Sequence, residues 1–373
     1  MNTKVSIQRC SDYERDSVFE AVHRALEPLG GIRRFVRNGQ KVLLKPNMLS
    51  AKPPDRGITT HPVVLEAVVR EVQAAGGEVW IGDSPSGALK GVYRYWENTE
   101  FLNVAERTGA TLLNFEKGGT QMREACGRRY HLSKYLYEAD VVVNLPKFKT
   151  HGLTLMTGAI KNLYGTLPGF QKARLHKENP KPAKFSRILV DLYECVRPAL
   201  HLMDGILGMA GNGPATGDLR NVGLILASED GIAMDTVVAR IMGFREHEID
   251  TLRFAGERGL GENQLDRIEV TGGSLQEYVL EDFPLPSNHL TKLVPEFLVK
   301  WLGRFVWIRP RADRDKCVGC GICARHCPVE AIQMCDGFPE MDYKKCINCL
   351  CCNESCPESA VIQELSWLAR RIG

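Results

Sequence analysis

Residues 41–83 read KVLLKPNMLSAKPPDRGITTHPVVLEAVVREVQAAGGEVWIGD, and this stretch decides the fold class of most of the chain. The apolar run Lys41–Leu44 predicts a strand, and apolar residues at helical spacing predict a helix over Pro62–Ala75. Gly76-Gly77 ends that helix, and Glu78–Ile81 predicts the next strand. Two strands joined by a crossover helix are typical of a parallel sheet.

The same alternation of strand and helix patterns continues toward the C-terminus. Further strands are predicted at 111–115, 139–145, 200–203, 221–227 and 268–271, and helices at 104–108, 188–196 and 233–242. We therefore expect residues 1–288 to form an α/β domain with a mostly parallel, helix-covered sheet.

Composition restricts the class of protein. The chain has 373 residues, 48 Lys and Arg against 45 Asp and Glu, a formal charge of +3, and 44% hydrophobic residues. A disordered chain has fewer apolar residues, and a DNA-binding chain has a larger basic excess. There is no apolar run long enough for a signal peptide or a spanning helix. We expect a cytoplasmic protein without a DNA partner or a transmembrane segment.

Ten of the 13 cysteines lie between residues 317 and 356. The spacing C-x2-C-x2-C-x3-C-P begins at Cys317 and ends at Cys327-Pro328, and it recurs in full from Cys346 to Cys356-Pro357. This repeat resembles bacterial two-cluster ferredoxins, in which three cysteines hold one [4Fe-4S] cube and the fourth reaches the other cube. Zinc is the alternative, but zinc sites usually take ligands as two separated pairs.

The repeat predicts that residues 311–373 form a small α+β, ferredoxin-like domain with two [4Fe-4S] clusters. Cys335 and Cys351 remain outside the ligand pattern as packed or free thiols. One predicted ligand set is Cys317, Cys320, Cys323 and Cys356, and the other is Cys346, Cys349, Cys352 and Cys327.

A connecting segment, 289–310, lies between the two predicted domains. Between Leu290 and Val306 apolar residues follow a 3-4 spacing, which predicts an amphipathic helix. Such a helix packs the two domains together or lies on a membrane surface, so peripheral membrane contact remains an alternative.

The charge of the cysteine region indicates what it docks on. Side chains between residues 317 and 356 carry three positive and five negative charges. Each oxidised cluster with its four thiolates adds about −2, which brings the module to about −6. A basic face should attract it, either on a redox partner protein or on the large domain.

Residues 141–177 contain no Asp or Glu, although Lys147, Lys149 and Lys161 lie there with His151. One interpretation is a pocket for a carboxylate or phosphate, with these lysines as donors and His151 as acid or base. A dock for the ferredoxin module, a solvated basic surface and an RNA surface are the alternatives. On the first interpretation, His151 and Lys161 are the candidate catalytic residues.

Polar residues also follow the predicted strands, and ligands of parallel sheets bind at the carboxyl ends of strands. The candidate ligand-binding residues there are Lys45, Asp83, Ser84, Lys147, Lys149 and Asn162. Turn chemistry alone also explains such residues.

These motifs together resemble the domain of unknown function 362 family over about residues 40–270. The resemblance is carried by Leu44–Asn47, Thr60–Pro62, Gly82–Pro85, Asn144–His151, Thr157–Asn162, and Met203–Gly205 with Gly211–Pro214. Members of that family often carry a C-terminal two-cluster ferredoxin module. The resemblance implies the architecture and the candidate site residues, and it leaves the substrate open.

Three functions fit this sequence. The first is an iron-sulfur oxidoreductase that passes electrons through two [4Fe-4S] clusters to a small anionic substrate or a second cofactor, with flavin as a candidate. The second is a non-enzymatic electron carrier or maturation factor that docks on a partner protein. The third is a non-redox enzyme in which the clusters are structural.

Overall fold

The fold comes from a computed structural model. It describes residues 3–85, 91–179, 181–211, 213–215, 217–286, 308–327, 329–346, 352–353, 356–358 and 360–367.

A ten-stranded sheet forms the centre of the large domain. The strands of this domain are β1 Thr3–Arg9, β2 Lys41–Pro46, β3 Glu78–Asp83, β4 Thr111–Asn114, β5 Thr120–Ala125, β6 Arg128–Ser133, β7 Val141–Leu145, β8 Lys147–His151, β9 Leu155–Thr157, β10 Leu200–Ala210, β11 Asp218–Ser228 and β12 Ile268–Thr271. The order is β12-β1-β11-β10-β7-β2-β3-β4, with β8 beside β10 and β9 beside β8. Strands β10, β7, β2, β3 and β4 are parallel neighbours, whereas β11 runs antiparallel to β1 and β10.

Helices cover the sheet. They are α1 Arg15–Leu26, α2 Pro62–Ala74, α3 Tyr93–Asn98, α4 Phe101–Thr108, α5 Tyr135–Glu138, α6 Ala159–Asn162, α7 Gln171–Glu178, α8 Pro182–Val196, α9 Gly231–Met242 and α10 Asp250–Glu257. Helix α2 begins with Pro62, whose missing N–H is not needed in a first turn. It ends before Gly76, which has φ +85° and where a Cβ would lie 2.2 Å from Asn38 Oδ1.

Two hydrophobic cores lie on the two faces of the sheet. Leu43 of β2 belongs to the core that α8 and α9 cover, whereas Val42 and Leu44 belong to the core that α1 and α2 cover. This alternation follows from the two-residue period of a strand. Because both faces of the sheet are buried, the central strands appear in the sequence as continuous apolar runs. The predicted fold class, a mostly parallel, helix-covered sheet, is confirmed.

Two parts of the large domain differ from the sequence prediction. Residues 147–151, read as the polar end of a strand, form the separate strand β8, which pairs with β10 and β9. Asp204 and Gly205, read as a strand end, lie in the middle of β10, which continues to Ala210 because it pairs with β11.

The small C-terminal domain contains two antiparallel strand pairs and one short helix among its described residues. Its elements are β13 Ile308–Ala312, α11 Ile322–Arg325, β14 Ile332–Cys335, β15 Phe338–Met341 and β16 Val361–Leu365. Strand β13 pairs with β16, and β14 pairs with β15. Its small buried core consists of Cys323, Ile332, Cys352, Cys356, Ala360 and Val361. Half of that core is cysteine.

The predicted connecting helix lies mainly outside the described residues. Residues 308–310 at the end of the predicted range, 289–310, belong to strand β13, which begins at Ile308. Among the described helices, none has the length and apolar character needed to cross a bilayer.

Candidate functional site

Four cysteines from both halves of the small domain line a single pocket. Cys317, Cys320, Cys323 and Cys356 surround about 330 Å³ of space, which includes the mouth of the pocket. They are the members of the first predicted ligand set. Within the described part of the chain, no three Cys, His, Asp or Glu side chains lie close enough to hold a single metal ion. The cluster assignment therefore rests on the shared pocket and on the spacing.

Glycine makes the loop around this pocket possible. Gly319 and Gly321 have φ values of +67° and +68°, in the left-handed region that favours glycine. A Cβ on Gly319 would also lie 2.6 Å from the carbonyl oxygen of Gly337. The residues between the cysteines thus fix the turn on which the thiols converge.

The fourth cysteine of each motif has the same local environment. The Ala331 N–H donates to Cys327 Sγ at 3.2 Å, and the Ala360 N–H donates to Cys356 Sγ at 3.2 Å. Each donor follows its cysteine by four residues. An amide directed at sulfur stabilises a thiolate and tunes the potential of a bound cluster. The donors of the first set therefore fit a [4Fe-4S] cube.

Burial raises the pKa of the Cys323 thiol to about 11, so iron must displace a proton there. In the second predicted set, Cys352 is buried and Cys327 packs against the same small core. Cys349 lies outside the described residues, as does the leftover Cys351. The other leftover cysteine, Cys335, lies on β14, and a hydrogen bond with Glu340 raises its pKa.

In the large domain, polar side chains meet at the carboxyl edge of β7, β2 and β3 and beside them on β8 and β10. We call this group the buried lysine network. Its members are Lys45, Asn47, Asp83, Asn144, Lys147, Lys149, Asn162 and Asp204.

Two ion pairs anchor the buried lysine network. Lys45 Nζ lies 3.0 Å from Asp83 Oδ1, and Lys147 Nζ lies 2.6 Å from Asp204 Oδ2. Burial lowers the pKa of both lysines, and the facing carboxylates oppose that shift. Lys147 and Lys149 are therefore buried. The interpretation of residues 141–177 as a solvated basic surface does not apply to these two lysines.

Amide side chains connect Lys149 to Asn144 and to the backbone of Lys45. Lys149 Nζ donates to Asn47 Oδ1 at 3.0 Å and to the Ile58 carbonyl at 2.6 Å. Asn162 Nδ2 donates to Asn144 Oδ1 at 2.8 Å, and its Oδ1 accepts from Asn47 Nδ2 at 3.0 Å. Asn162 Nδ2 also donates to the Lys45 carbonyl at 3.2 Å, so the predicted residues Lys45, Asp83, Lys149 and Asn162 form one hydrogen-bonded group, with the Lys147–Asp204 pair as a separate part of the network.

Ser84 lies next to this group but is held by other partners. Its hydroxyl donates to the Glu116 carboxylate and accepts from the Lys172 ammonium group. At neighbouring Gly165, a Cβ would lie 2.0 Å from Asp83 Oδ1, so the backbone packs directly on the Lys45–Asp83 pair.

The two candidate catalytic residues lie close to one another. His151 is buried, and its Nδ1 accepts from the N–H groups of Leu153 and Thr154 at 3.0 and 3.2 Å. The neutral ring therefore carries its proton on Nε2. Burial, followed by the charge of Lys161, lowers the pKa of His151 well below its usual value. The same causes lower the pKa of His176 to about 3.

The sequence reading missed Tyr13 and His61, which complete one end of the network. The Tyr13 hydroxyl donates to Asp204 Oδ1 at 3.0 Å and accepts from Lys147 Nζ at 2.8 Å. The His61 ring stacks on Tyr13 with centroids 3.6 Å apart, and burial lowers its pKa to about 4. His61 lies in a motif quoted above, but nothing local marks Tyr13.

Asp235 was also missed, and it fixes the segment that carries Lys161 and Asn162. Its carboxylate accepts from the N–H groups of Ala159 and Ile160 at 2.6 and 3.0 Å. Burial raises the pKa of Asp235 to about 7.

Comparison with known proteins places the chain in a family. The model of the domain of unknown function DUF362 matches residues 42–240, more than half of the chain. The chain belongs to the DUF362 family. A second model, the 4Fe-4S binding domain, matches residues 310–333. The protein is therefore an iron-sulfur protein whose C-terminal domain binds a [4Fe-4S] cluster.

Two similar proteins accompany the family match. A thylakoid-associated protein of Synechocystis is 40% identical over 289 residues, which cover 77% of this chain and 89% of that protein. The lactate racemase apoprotein of Thermoanaerobacterium thermosaccharolyticum is 12% identical, with a TM-score of 0.43. That similarity covers 62% of this chain and 55% of the racemase chain.

Proposed function

We propose that this protein is an oxidoreductase that passes electrons through two [4Fe-4S] clusters to a small anionic acceptor, or to a second cofactor such as flavin, in the large domain. The observation that carries the proposal is the pocket formed by Cys317, Cys320, Cys323 and Cys356. Bound there, a cube supplies one-electron chemistry. The second set, completed by Cys349, supplies the other electron.

The large domain supports the acceptor half of the proposal. Its buried lysine network lies at the carboxyl ends of parallel strands, the usual ligand-binding edge of an α/β sheet. Lys45 and Lys147 are already paired with Asp83 and Asp204, so the positive charge for a carboxylate or phosphate has to come from Lys149 and Lys161 beside His151. His151 is neutral and carries its proton on Nε2, so it can donate a hydrogen bond from Nε2 to such an anion, while the protons that a reduced acceptor takes up come from solvent.

A single-turnover experiment tests the proposal. The anaerobically purified protein is reduced with dithionite, freed of excess reductant, and mixed with small oxidised carboxylates, phosphate esters or flavin. The two clusters release two electrons, and the acceptor gains two electrons and two protons. We expect the absorbance of the oxidised clusters to return with at least one small acceptor.

Variants locate the acceptor site in the same experiment. Lys161→Met and His151→Gln should slow reoxidation by the small acceptor about tenfold or more while the iron content stays unchanged. Lys134→Met, in an exposed pair with Glu138, is the matched control and should react like the parent protein. Equal rates in all four proteins would contradict the assignment of the site.

The second candidate function is a carrier or maturation factor that docks on a partner protein. Val318, next to Cys317, favours it because its side chain is 67% exposed at the rim of the cysteine pocket. An exposed apolar residue beside a redox centre is suited to a protein contact. Reoxidation by protein acceptors alone, with no small acceptor, would support this function and reject the first.

We also propose a cytoplasmic location. The thylakoid association of the Synechocystis relative makes a membrane surface the other location to test. Cell fractionation with and without a high-salt wash distinguishes the two. Protein in the soluble fraction at low salt supports the proposal, and salt-released protein in the membrane fraction contradicts it.

A further inference from the structure

The two domains contact one another beside a cluster ligand. Lys52 is only 7% exposed, and its ammonium group donates to the carbonyl oxygen of Pro357. Pro357 directly follows Cys356, the fourth member of the first ligand set. The large domain therefore reaches the small domain at the pocket of that set.

The charges around this contact are complementary. Lys52 lies within electrostatic range of Arg56 and Arg94 on its own domain and of Cys356 and Glu358 on the small domain. A basic patch thus faces a thiol and a carboxylate. This is the arrangement expected for a dock of the acidic module, and it lies outside residues 141–177, where the sequence suggested a dock.

The segment that carries Lys52 also contacts the buried lysine network. Residues 47–61 connect β2 to α2. Near the start of the segment, the Met48 N–H donates to Asp83 Oδ2 at 2.8 Å, and at its end the His61 N–H donates to Asp204 Oδ2 at 2.8 Å. One short segment therefore links the cysteine pocket to both ion pairs.

We propose that Lys52 holds the first ligand set, Cys317, Cys320, Cys323 and Cys356, against the large domain, and that electrons enter the large domain from this set. The second set then receives electrons from an external, reduced redox protein. Each transfer moves one electron from the second set to the first and then to the anionic acceptor. The direction of transfer rests on the proposed function, whereas the contact does not.

The physical role of Lys52 is twofold. Its hydrogen bond to Pro357 fixes the distance over which an electron must pass. Its positive charge stabilises the reduced, more negative form of the nearby cluster, so it raises the reduction potential of that cluster. Cys356 of the first set lies within electrostatic range of Lys52, so we expect the charge to act mainly on the first cluster. Lys52 is therefore a positioning residue, and its effect on the reduction potential of the cluster can be measured by EPR.

The test is an EPR-monitored redox titration of the full-length, anaerobically purified protein. Lys52→Met should lower the reduction equilibrium constant of one cluster roughly tenfold, which is about 59 mV for one electron. Lys52→Arg keeps the charge and should restore the parent value. Lys134→Met, which removes an exposed lysine directly before α5, should shift neither signal.

A second pair of variants identifies the shifted cluster. Cys320→Ser changes a ligand of the first set, and Cys349→Ser changes a ligand of the second. The signal that moves in Lys52→Met should be the one altered by Cys320→Ser. A shift of the other signal, an equal shift of both, or no shift would overturn the proposal.

Two combinations of results distinguish a failure of this inference from a failure of the proposed function. A shift confined to the first cluster, with no reoxidation by any small acceptor, supports the Lys52 contact and rejects the oxidoreductase function. Reoxidation by a small acceptor at an unchanged rate in Lys52→Met, with no shift of potential, supports the function and rejects the role of Lys52.

Discussion

The large and small domains are stabilised by opposite means. In the large domain, two hydrophobic cores bury a ten-stranded sheet on both faces, and this core supports even buried ion pairs such as Lys147–Asp204. In the small domain, the described core has six buried residues, three of them cysteines. A core of that size is of the kind that a bound cluster stabilises, whereas the large domain has the apolar burial that stabilises a fold by itself. The comparison predicts that loss of iron and loss of a buried ion pair affect different domains.

Loss of iron should have the largest effect. It should destabilise the small domain and leave the large domain folded. Chelation of iron from oxidised protein, or the double variant Cys323→Ala/Cys352→Ala that removes one buried ligand from each predicted set, should make the residues after about 308 sensitive to protease while the large domain stays resistant. Limited proteolysis with mass spectrometry measures this. Cys126→Ser is the matched control, because Cys126 is exposed in the large domain. An iron-free small domain that resists protease would contradict the comparison.

Breaking a buried ion pair should destabilise only the large domain. Asp204→Asn leaves the Lys147 ammonium group buried without its carboxylate, and loss of one partner of a buried pair costs about 3–5 kcal/mol. Urea denaturation followed by tryptophan fluorescence measures the free energy of unfolding. The double variant Lys147→Met/Asp204→Asn removes the uncompensated charge and keeps an acceptor oxygen for Tyr13 or the His61 N–H, so it should recover most of the loss. Equal stability of Asp204→Asn and the parent protein would show that the pair is not buried in solution.

A pH dependence should follow from His176 in the large domain. Its folded pKa is about 3, below the usual 6.5, because burial disfavours the charged ring. The unfolded chain therefore takes up a proton as the pH falls below about 6.5, and the folded chain does not. Stability from this group is complete above pH 6.5 and falls toward pH 3, by on the order of 2 kcal/mol at pH 5.

His176→Phe should reduce this slope and keep the packing, since the ring stacks on Phe185 with centroids 4.1 Å apart. The free energy of unfolding between pH 5 and 7 is the measurement. His201, with a pKa lowered to about 3 by burial, should keep part of the slope in that variant. An unchanged slope in His176→Phe would show that its ring is accessible to solvent.

The smallest effect should come from an exposed ion pair in the same domain. Lys134 and Glu138 lie 3.1 Å apart on the surface, with both side chains over 40% exposed. Lys134→Ala should change the free energy of unfolding by about 0.5 kcal/mol or less. A loss of stability as large as that of Asp204→Asn would mean that burial does not decide how much an ion pair contributes to the free energy of unfolding.

Binding of a [4Fe-4S] cluster by the C-terminal domain was the part best predicted from the sequence, because it is marked by local cysteine spacing, and the family match confirms it. Cys317, Cys320, Cys323 and Cys356 line one pocket, and their assignment as one ligand set stays a prediction. The parallel α/β core was predictable for a related reason. Strands buried on both faces read as apolar runs, as in Val141–Leu145.

The rest of the large-domain site depends on long-range contacts that no local pattern encodes. Tyr13 lies 191 residues from Asp204 in the chain, and the contact forms because α1, which follows Tyr13, packs on β1 and β11, and β11 is the neighbour of β10. Lys147 was predicted to face a ligand, and the structure pairs it with Asp204. The sequence shows the charge of each residue, but the pairing follows from strand order.

Iron and sulfide analysis of anaerobically purified protein, with EPR spectra before and after dithionite, tests the central claim most directly. The account predicts about eight irons and eight sulfides per chain and a reducible signal from two interacting clusters. Zinc in place of iron, or iron without a reducible signal, would contradict it.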